Sequence, residues 1–378
     1  MADGAANGSS SAQDSHPSWE MTHKVFDEEL RAAGAAIRTV ACSGDAVLTG
    51  SSRPVVKVWR MAEGKLAEAG RLKRGAVGSS CVEASADGNT VAVCADDGSI
   101  VLWDLRDPEH HVGELEASVP TAWKAAFLPG GRHLVSGGTS GALCFWDLRM
   151  NRLESEIAAD GAGASSSDFL RTKKGEEVDV KRRRKDLGRP SRDGNHSEAD
   201  KSSPIYSLAA SRDGRLLGCG RASGGISVLR LETREWVGDV QAHLADSSAP
   251  VRALSFDHGS RLLLSGGDDS HVCMVDAAGW ARQSSAASRG RPQLERFPAH
   301  KGWVTSVSAC PDPLRPVVVT TSSDAGVKLW DYRTRSLICS YQDHTDCVFA
   351  SAFAPVDGRF FVTAGADAML GLYVAKHD

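Results

Sequence analysis

A chain of 378 residues that closes a strand with the same Trp-Asp pair three times, at Trp103-Asp104, Trp146-Asp147 and Trp330-Asp331, is constrained first of all by repetition. The fullest copy runs from His300 to Asp331: an Ala299-His300 pair, then Trp303-Val304-Thr305-Ser306-Val307, then Thr320 to Asp324, then Val327-Lys328-Leu329-Trp330-Asp331. A His at the entry loop, a Ser or Thr on the second strand, an Asp in the next turn and a Trp on the third strand can close a hydrogen-bonded tetrad. Such a tetrad satisfies buried polar groups and pins strand to loop. Here the members are His300, Thr320, Asp324 and Trp330, and in the last copy His344, Thr363, Asp367 and Tyr373. Sliding this copy along the chain puts Trp59, Trp103, Trp146, Leu229, Val275, Trp330 and Tyr373 at the Trp330 position, spaced 44, 43, 83, 46, 55 and 43 residues apart. A period of ~40 to 45 residues fits four short strands per unit, so the gap of 83 is one unit carrying an insertion.

Seven units predict an all-β fold, a seven-bladed propeller of one toroidal domain. Trp19 to Phe26 reads as a strand before the first copy, and the chain stops five residues after Tyr373 without a fourth strand for the last blade. The N-terminal strand is therefore expected to pair with the third strand of blade seven and close the ring. The chain divides into a disordered tail over 1–18, the closing strand and blades one to three over 19–160, an insertion over 161–203, and blades four to seven over 204–378. Asp-Gly at Asp87-Gly88, Asp213-Gly214 and Asp357-Gly358 marks the hairpin turn after an inner strand. Only blades six and seven keep a near-complete tetrad; blade five keeps Ser265 and Asp269, and blade four has Ser223 and Leu229. The net charge of −4 conceals eleven Lys or Arg against eight Asp or Glu within 161–203, which leaves the blades acidic and poor binders of phosphate. The insertion, poor in apolar residues, is expected to be a disordered loop. Its block Lys181-Arg182-Arg183-Arg184-Lys185 is a nuclear-import candidate, a weak nucleic-acid contact or a solubilising run. A second extension, Ala278 to Arg291, lengthens the outer loop of blade five.

Nine cysteines, none spaced Cys-x-x-Cys, read as reduced core residues, and neither a signal peptide nor an apolar run of ~20 residues is evident. The expectation is an intracellular protein of nucleus and cytoplasm. No Gly-Lys-Ser/Thr phosphate loop, Gly-x-Ser-x-Gly elbow or His-Glu-x-x-His appears, so no catalysis, cofactor or metal is expected. The pairs Asp96-Asp97 and Asp268-Asp269 sit at blade turns and read as turn chemistry, and His110-His111 as a solvated pair.

The Trp-Asp closers identify the repeats as similar to the WD40 family. Within it, Ala122 to Phe127, Ile205-Tyr206-Ser207-Leu208 through Ser211 to Gly214, Trp303-Val304, and Ser323-Asp324 to Trp330-Asp331 with Asp343-His344 resemble one subfamily. It is the WD-repeat subunit of the superkiller RNA-decay complex, shared in animals and plants with the RNA polymerase II-associated factor complex. That resemblance implies a non-catalytic scaffold whose partners are the tetratricopeptide scaffold and helicase of a superkiller-type complex, or elongation-factor subunits. It implies neither membrane attachment nor sequence-specific nucleic-acid binding. A rival reading rests on Trp-Asp-x-Arg at Trp103 to Arg106, Trp146 to Arg149 and Trp330 to Arg333, which resembles the box by which substrate receptors dock on cullin-RING ubiquitin ligases.

Side chains at the entry of the inner strands should ring the mouth of the central channel. Counting one residue past the first apolar position of each strand gives Arg38, Ser80, Trp123, Tyr206, Arg252, Thr305 and Phe349, with Trp303 two residues before Thr305. Trp, Tyr and Arg dominate binding hot spots, so Trp123, Tyr206, Arg252, Trp303, Thr305, Phe349 and Arg38 form the candidate partner site. The expected occupant is an extended or helical segment carrying an apolar side chain and a basic one that stacks on the rings.

Overall fold

The computed structural model describes residues 18–73, 77–115, 122–158, 163–165, 203–244, 249–282 and 293–376. They form seven antiparallel sheets in a ring, in each of which consecutive strands pair with their neighbours in chain order. The exception is blade seven, whose order is Trp19–Phe26, Met369–Ala375, Phe360–Gly365, Val348–Phe353, with the N-terminal strand outermost. Trp19 lies opposite Ala375 and Phe26 opposite Met369, the pairing expected for ring closure.

The core explains why the ring must close. Seven apolar clusters exist among the described residues, and each is shared by two adjacent blades. One blade cannot bury both faces alone, so stability comes from stacking each sheet on the next. The residue at the Trp330 position always enters the cluster toward the preceding blade. Trp59 packs with Phe360 and Leu370 of blade seven, and Leu229 packs with Val135 and Phe145 of blade three. Leu229 and Val275 are 0% exposed, so the position demands apolar bulk first and a hydrogen bond second.

The closing strand is held by more than its ladder. Trp19 is buried, packs edge-on against Phe353 at 5.7 Å, and its carbonyl accepts from the Tyr341 hydroxyl at 2.9 Å. Asp27, which follows the strand, caps the short helix Glu28–Ala32 through the Leu30 N–H at 3.1 Å and accepts from buried Lys57 Nζ at 2.8 Å.

Two expectations are corrected. Residues 163–165 lie in the stretch assigned to a disordered insertion without strands, yet Gly163–Ser165 pairs with Arg152–Ile157 as a fifth strand of blade three. An edge strand needs only main-chain groups, which glycine and serine supply. The rest of the insertion up to residue 202, including Lys181 to Lys185, and the tail over 1–17 lie outside the described residues. The extension in the outer loop of blade five is not all loop. Ala278–Arg282 is a short helix that buries Trp280 against blade four at Gly238, where a Cβ would meet the indole at 2.3 Å.

Candidate functional site: the channel mouth and its polar supports

The tetrads fix the loops that surround the mouth. In blade six, Trp330 Nε1 donates to Thr320 Oγ1 at 3.0 Å, and Thr320 lies 2.9 Å from His300 Nε2. Because the Asp324 carboxylate can only accept, Nδ1 carries the ring proton and donates to it at 3.2 Å, which leaves Nε2 to accept from the Thr320 hydroxyl. Asp324 also accepts from the N–H groups of Lys301 at 2.8 Å and Gly326 at 2.9 Å. Blade seven repeats this, with His344 between Thr363 at 2.8 Å and Asp367 at 3.1 Å. Its fourth member departs from expectation. The Tyr373 hydroxyl donates to Asp343 Oδ2 at 3.3 Å, because a phenol extends farther from the strand than an indole N–H.

Two supports escaped the sequence reading. Blade five holds a complete His–Ser–Asp set, with His243 lying 2.8 Å from Ser265 Oγ and 2.8 Å from Asp269 Oδ1, so blades six and seven are not alone. The signal was present: Ala242-His243 repeats Ala299-His300. Blade four lacks the set and substitutes buried Arg221, whose Nε donates to Ser227 Oγ at 2.7 Å, whose Nη1 donates to the Ser203 carbonyl at 3.2 Å, and whose guanidinium lies 5.3 Å from the Trp236 ring centre. No local pattern announces it.

These pairs make stability pH-dependent. Burial opposes the charged form of Asp324, but the Lys301 and Gly326 N–H groups and His300 outweigh it and hold the carboxyl down at about 2. Asp367 and Asp269 are likewise lowered against their burial, by His344 and His243 in turn. Burial lowers His300 against the pull of Asp324, so the folded state holds its imidazole neutral. A lowered carboxyl contributes stability above its ordinary value and loses it as pH falls through the folded one; a lowered His contributes above ~6.5 and loses it below. Urea midpoints are therefore expected to decline below pH 6.5 and steepen below pH 4. In Asp324→Asn the limb below pH 4 should be shallower by about 2 kcal/mol. A parallel limb in the variant would remove Asp324 from this account.

At the mouth, each of the seven ring positions coincides with a bulge. The ladder of every inner strand skips one residue, and the residues skipped are Arg38, Ser80, Trp123, Tyr206, Arg252, Thr305 and Phe349. A bulge re-aims the extra side chain out of the pleat, which is how seven equivalent strands present seven side chains at one rim. Trp123 and Tyr206 meet edge-on at 5.4 Å, both half-buried. Trp303 is 52% exposed, although its backbone is pinned to the next turn by Ser323 Oγ at 2.9 Å, and Phe349 is 36% exposed. Ser80 Oγ ties its blade to the Trp123 carbonyl at 3.2 Å. Thr305 is less available than expected, since its hydroxyl is engaged by Thr321 Oγ1 at 3.0 Å and by the Val348 carbonyl.

The two arginines bring acids with them. Asp268 grips Arg252 at Nε and, at 2.8 Å, at Nη2, while Arg38 Nη1 lies 3.0 Å from Asp96. Arg252 stacks 4.9 Å from the Trp303 ring centre and 6.0 Å from that of Tyr206. The ring faces reserved for a partner's cation thus already carry one from the chain itself. Below the mouth, the inner strands enclose a channel of about 630 Å³. No group of three or more His, Cys, Asp or Glu placed to hold a metal ion occurs among the described residues, nor any helix long and apolar enough to cross a membrane.

The Trp-Asp-x-Arg tetrapeptides close turns between third and fourth strands. Asp104 accepts from its own Arg106 at the backbone N–H, at Nε and at Nη2, and Asp147 and Asp331 take the N–H of Arg149 and Arg333 at 2.9 and 2.7 Å.

Comparison with known proteins agrees with the fold. The WD40 pattern (WD domain, G-beta repeat) matches residues 73–104, 110–147, 235–276 and 291–331. Similar proteins include the pre-rRNA-processing protein IPI3 of Mycosarcoma maydis, 28% identical over 40% of this chain and 29% of its own length. The WD repeat-containing protein SL1-17 of Schistosoma mansoni is 24% identical over 61% of each chain. A ribosome biogenesis protein WDR12 homolog of Chlamydomonas reinhardtii is 34% identical over 21% of this chain and 18% of its own. The matched stretch covers less than two thirds of each of these relatives.

Proposed function

We propose that this seven-bladed propeller of WD40 repeats is a non-catalytic scaffold whose channel mouth docks short segments of larger protein partners. The observation that carries this reading is the rim itself. Four aromatic side chains stand at one opening, and the two most exposed, Trp303 and Phe349, sit on backbones fixed by tetrads and bulges. Rigid, exposed aromatics lose little entropy on binding and supply the area of a hot spot.

The assembly served is an RNA-handling one. The residue-level resemblance supports a superkiller-type RNA-decay complex, with its tetratricopeptide scaffold and helicase, or the polymerase-associated elongation complex. The relatives named for pre-rRNA processing and ribosome biogenesis support a second reading, a scaffold in ribosome assembly. Either role places the protein in the nucleus, and RNA decay adds the cytoplasm. Affinity purification with mass spectrometry, run on the wild type and on Trp303→Ala, tests both. Losing one hot-spot aromatic costs about 2 kcal/mol, roughly thirtyfold in affinity, so the variant should lose its principal partners while its melting temperature stays unchanged. Helicase and tetratricopeptide subunits among the lost proteins support the first reading, and ribosome-assembly factors the second. Full recovery with the variant would overturn the mouth as the docking face.

A further inference from the structure

The channel beneath the mouth is lined by more basic than acidic side chains. Small side chains such as Ala126, Ala209, Ala253 and Ala350 leave its wall open, and five charged residues line it: Arg38, Arg252, Lys124, Arg212 and Glu83. The first two are ion-paired at the rim with Asp96 and Asp268. Lys124, directly after Trp123 on the inner strand Ala122–Phe127, has no ion pair within 4 Å among the described residues, and neither has Arg212 at the far end. Glu83, on the neighbouring blade, does not reach Lys124 either; its nearest polar partner is the Cys81 sulfur at 4.0 Å. Burial pushes the Glu83 carboxyl well above the usual range, against the pull of Lys124. The chain carries a net −4, yet this channel holds, just below its most aromatic wall, an ammonium with no ion pair within 4 Å among the described residues.

Resting on the docking role of the mouth, we propose that the docked segment carries a carboxylate, an Asp or Glu side chain next to an apolar anchor, which enters the channel and pairs with Lys124. The anchor lies on Trp303 and Phe349 while the acid passes Trp123. A basic side chain is disfavoured twice over, because Arg252 already covers the Trp303 and Tyr206 faces and Lys124 repels a second cation below. With Arg38 and Arg252 already paired, only Lys124 below the mouth and Arg212 at the far end are left, which suits one carboxylate side chain better than a polyphosphate strand, whose affinity grows with the number of cations it meets.

Panning a random twelve-residue display library against the full-length protein tests this, with Lys124→Gln, Glu83→Gln and Trp303→Ala as parallel baits whose melting curves establish folding. Peptides enriched on the wild type should pair an aromatic or aliphatic residue with Asp or Glu. The best of them, fluorescein-labelled, should bind Lys124→Gln about tenfold more weakly, bind Glu83→Gln like the wild type, and lose binding to Trp303→Ala. Enrichment of basic or uncharged peptides that survives Lys124→Gln but not Trp303→Ala would overturn the carboxylate and leave the docking face standing. If no Trp303-dependent enrichment appears, both fall.

Discussion

Deleting residues 1–28 is expected to convert a cooperatively melting protein into one that aggregates well below the wild-type transition. The deletion removes the outer strand of blade seven and leaves Met369–Ala375 as an open edge, a template for pairing with other chains. It also takes Trp19 from the cluster shared by blades six and seven, and loss of a buried Trp side chain alone costs about 3 to 5 kcal/mol. A third loss is electrostatic. Lys57 Nζ, buried in blade one, would lose Asp27 at 2.8 Å and keep only Glu29 at 3.5 Å and Glu68 at 3.6 Å. Removing one partner of a buried pair is costly because the other charge stays out of water. Together these terms rival the whole stability of a domain, about 5 to 15 kcal/mol. Thermal unfolding followed with light scattering would show it, and a truncated protein that melts with the wild type would exclude a closing role for the segment.

What could be read from the sequence is what each blade repeats locally. The period was visible because each residue at the Trp330 position enters the interface toward the preceding blade, so even Leu229 and Val275 had to be apolar. The mouth was visible for a similar reason: the bulge sits at one fixed offset in every inner strand, and counting from the first apolar residue lands on it. What stayed hidden depends on contacts between distant segments. Nothing near Arg38 indicates that Asp96, 58 residues away, will pair with it, and nothing near Arg252 indicates that its guanidinium will lie on Trp303. Arg221 looks like any strand-end arginine until blade four is seen to lack a His–Asp pair. Gly163–Ser165 was hidden by composition, which reports side-chain burial and is blind to main-chain pairing.

Replacing Asp324 by Ala should cost about 2 to 4 kcal/mol, more than replacing Trp330 by Phe. The carboxylate is the hub of its blade: it takes the proton of His300 Nδ1 and the N–H groups of Lys301 and Gly326, and all three lose their acceptor together. His300 is buried and cannot turn to water, and an unsatisfied buried donor costs about 1 to 3 kcal/mol. Trp330→Phe removes one hydrogen bond to Thr320, about 1 kcal/mol, and keeps an aromatic ring against Phe297, which lies 5.2 Å from the indole. Blades four and five already fold with Leu229 and Val275 at that position, whereas blade five retains its Asp269. Lys301 and Trp303 lie on the loop that Asp324 anchors, so the Ala variant should also weaken partner binding at the mouth, while Trp330→Phe should leave it intact. Urea denaturation of the two variants decides the order, and equal losses would mean that the carboxylate is no more the hub of the blade than the indole.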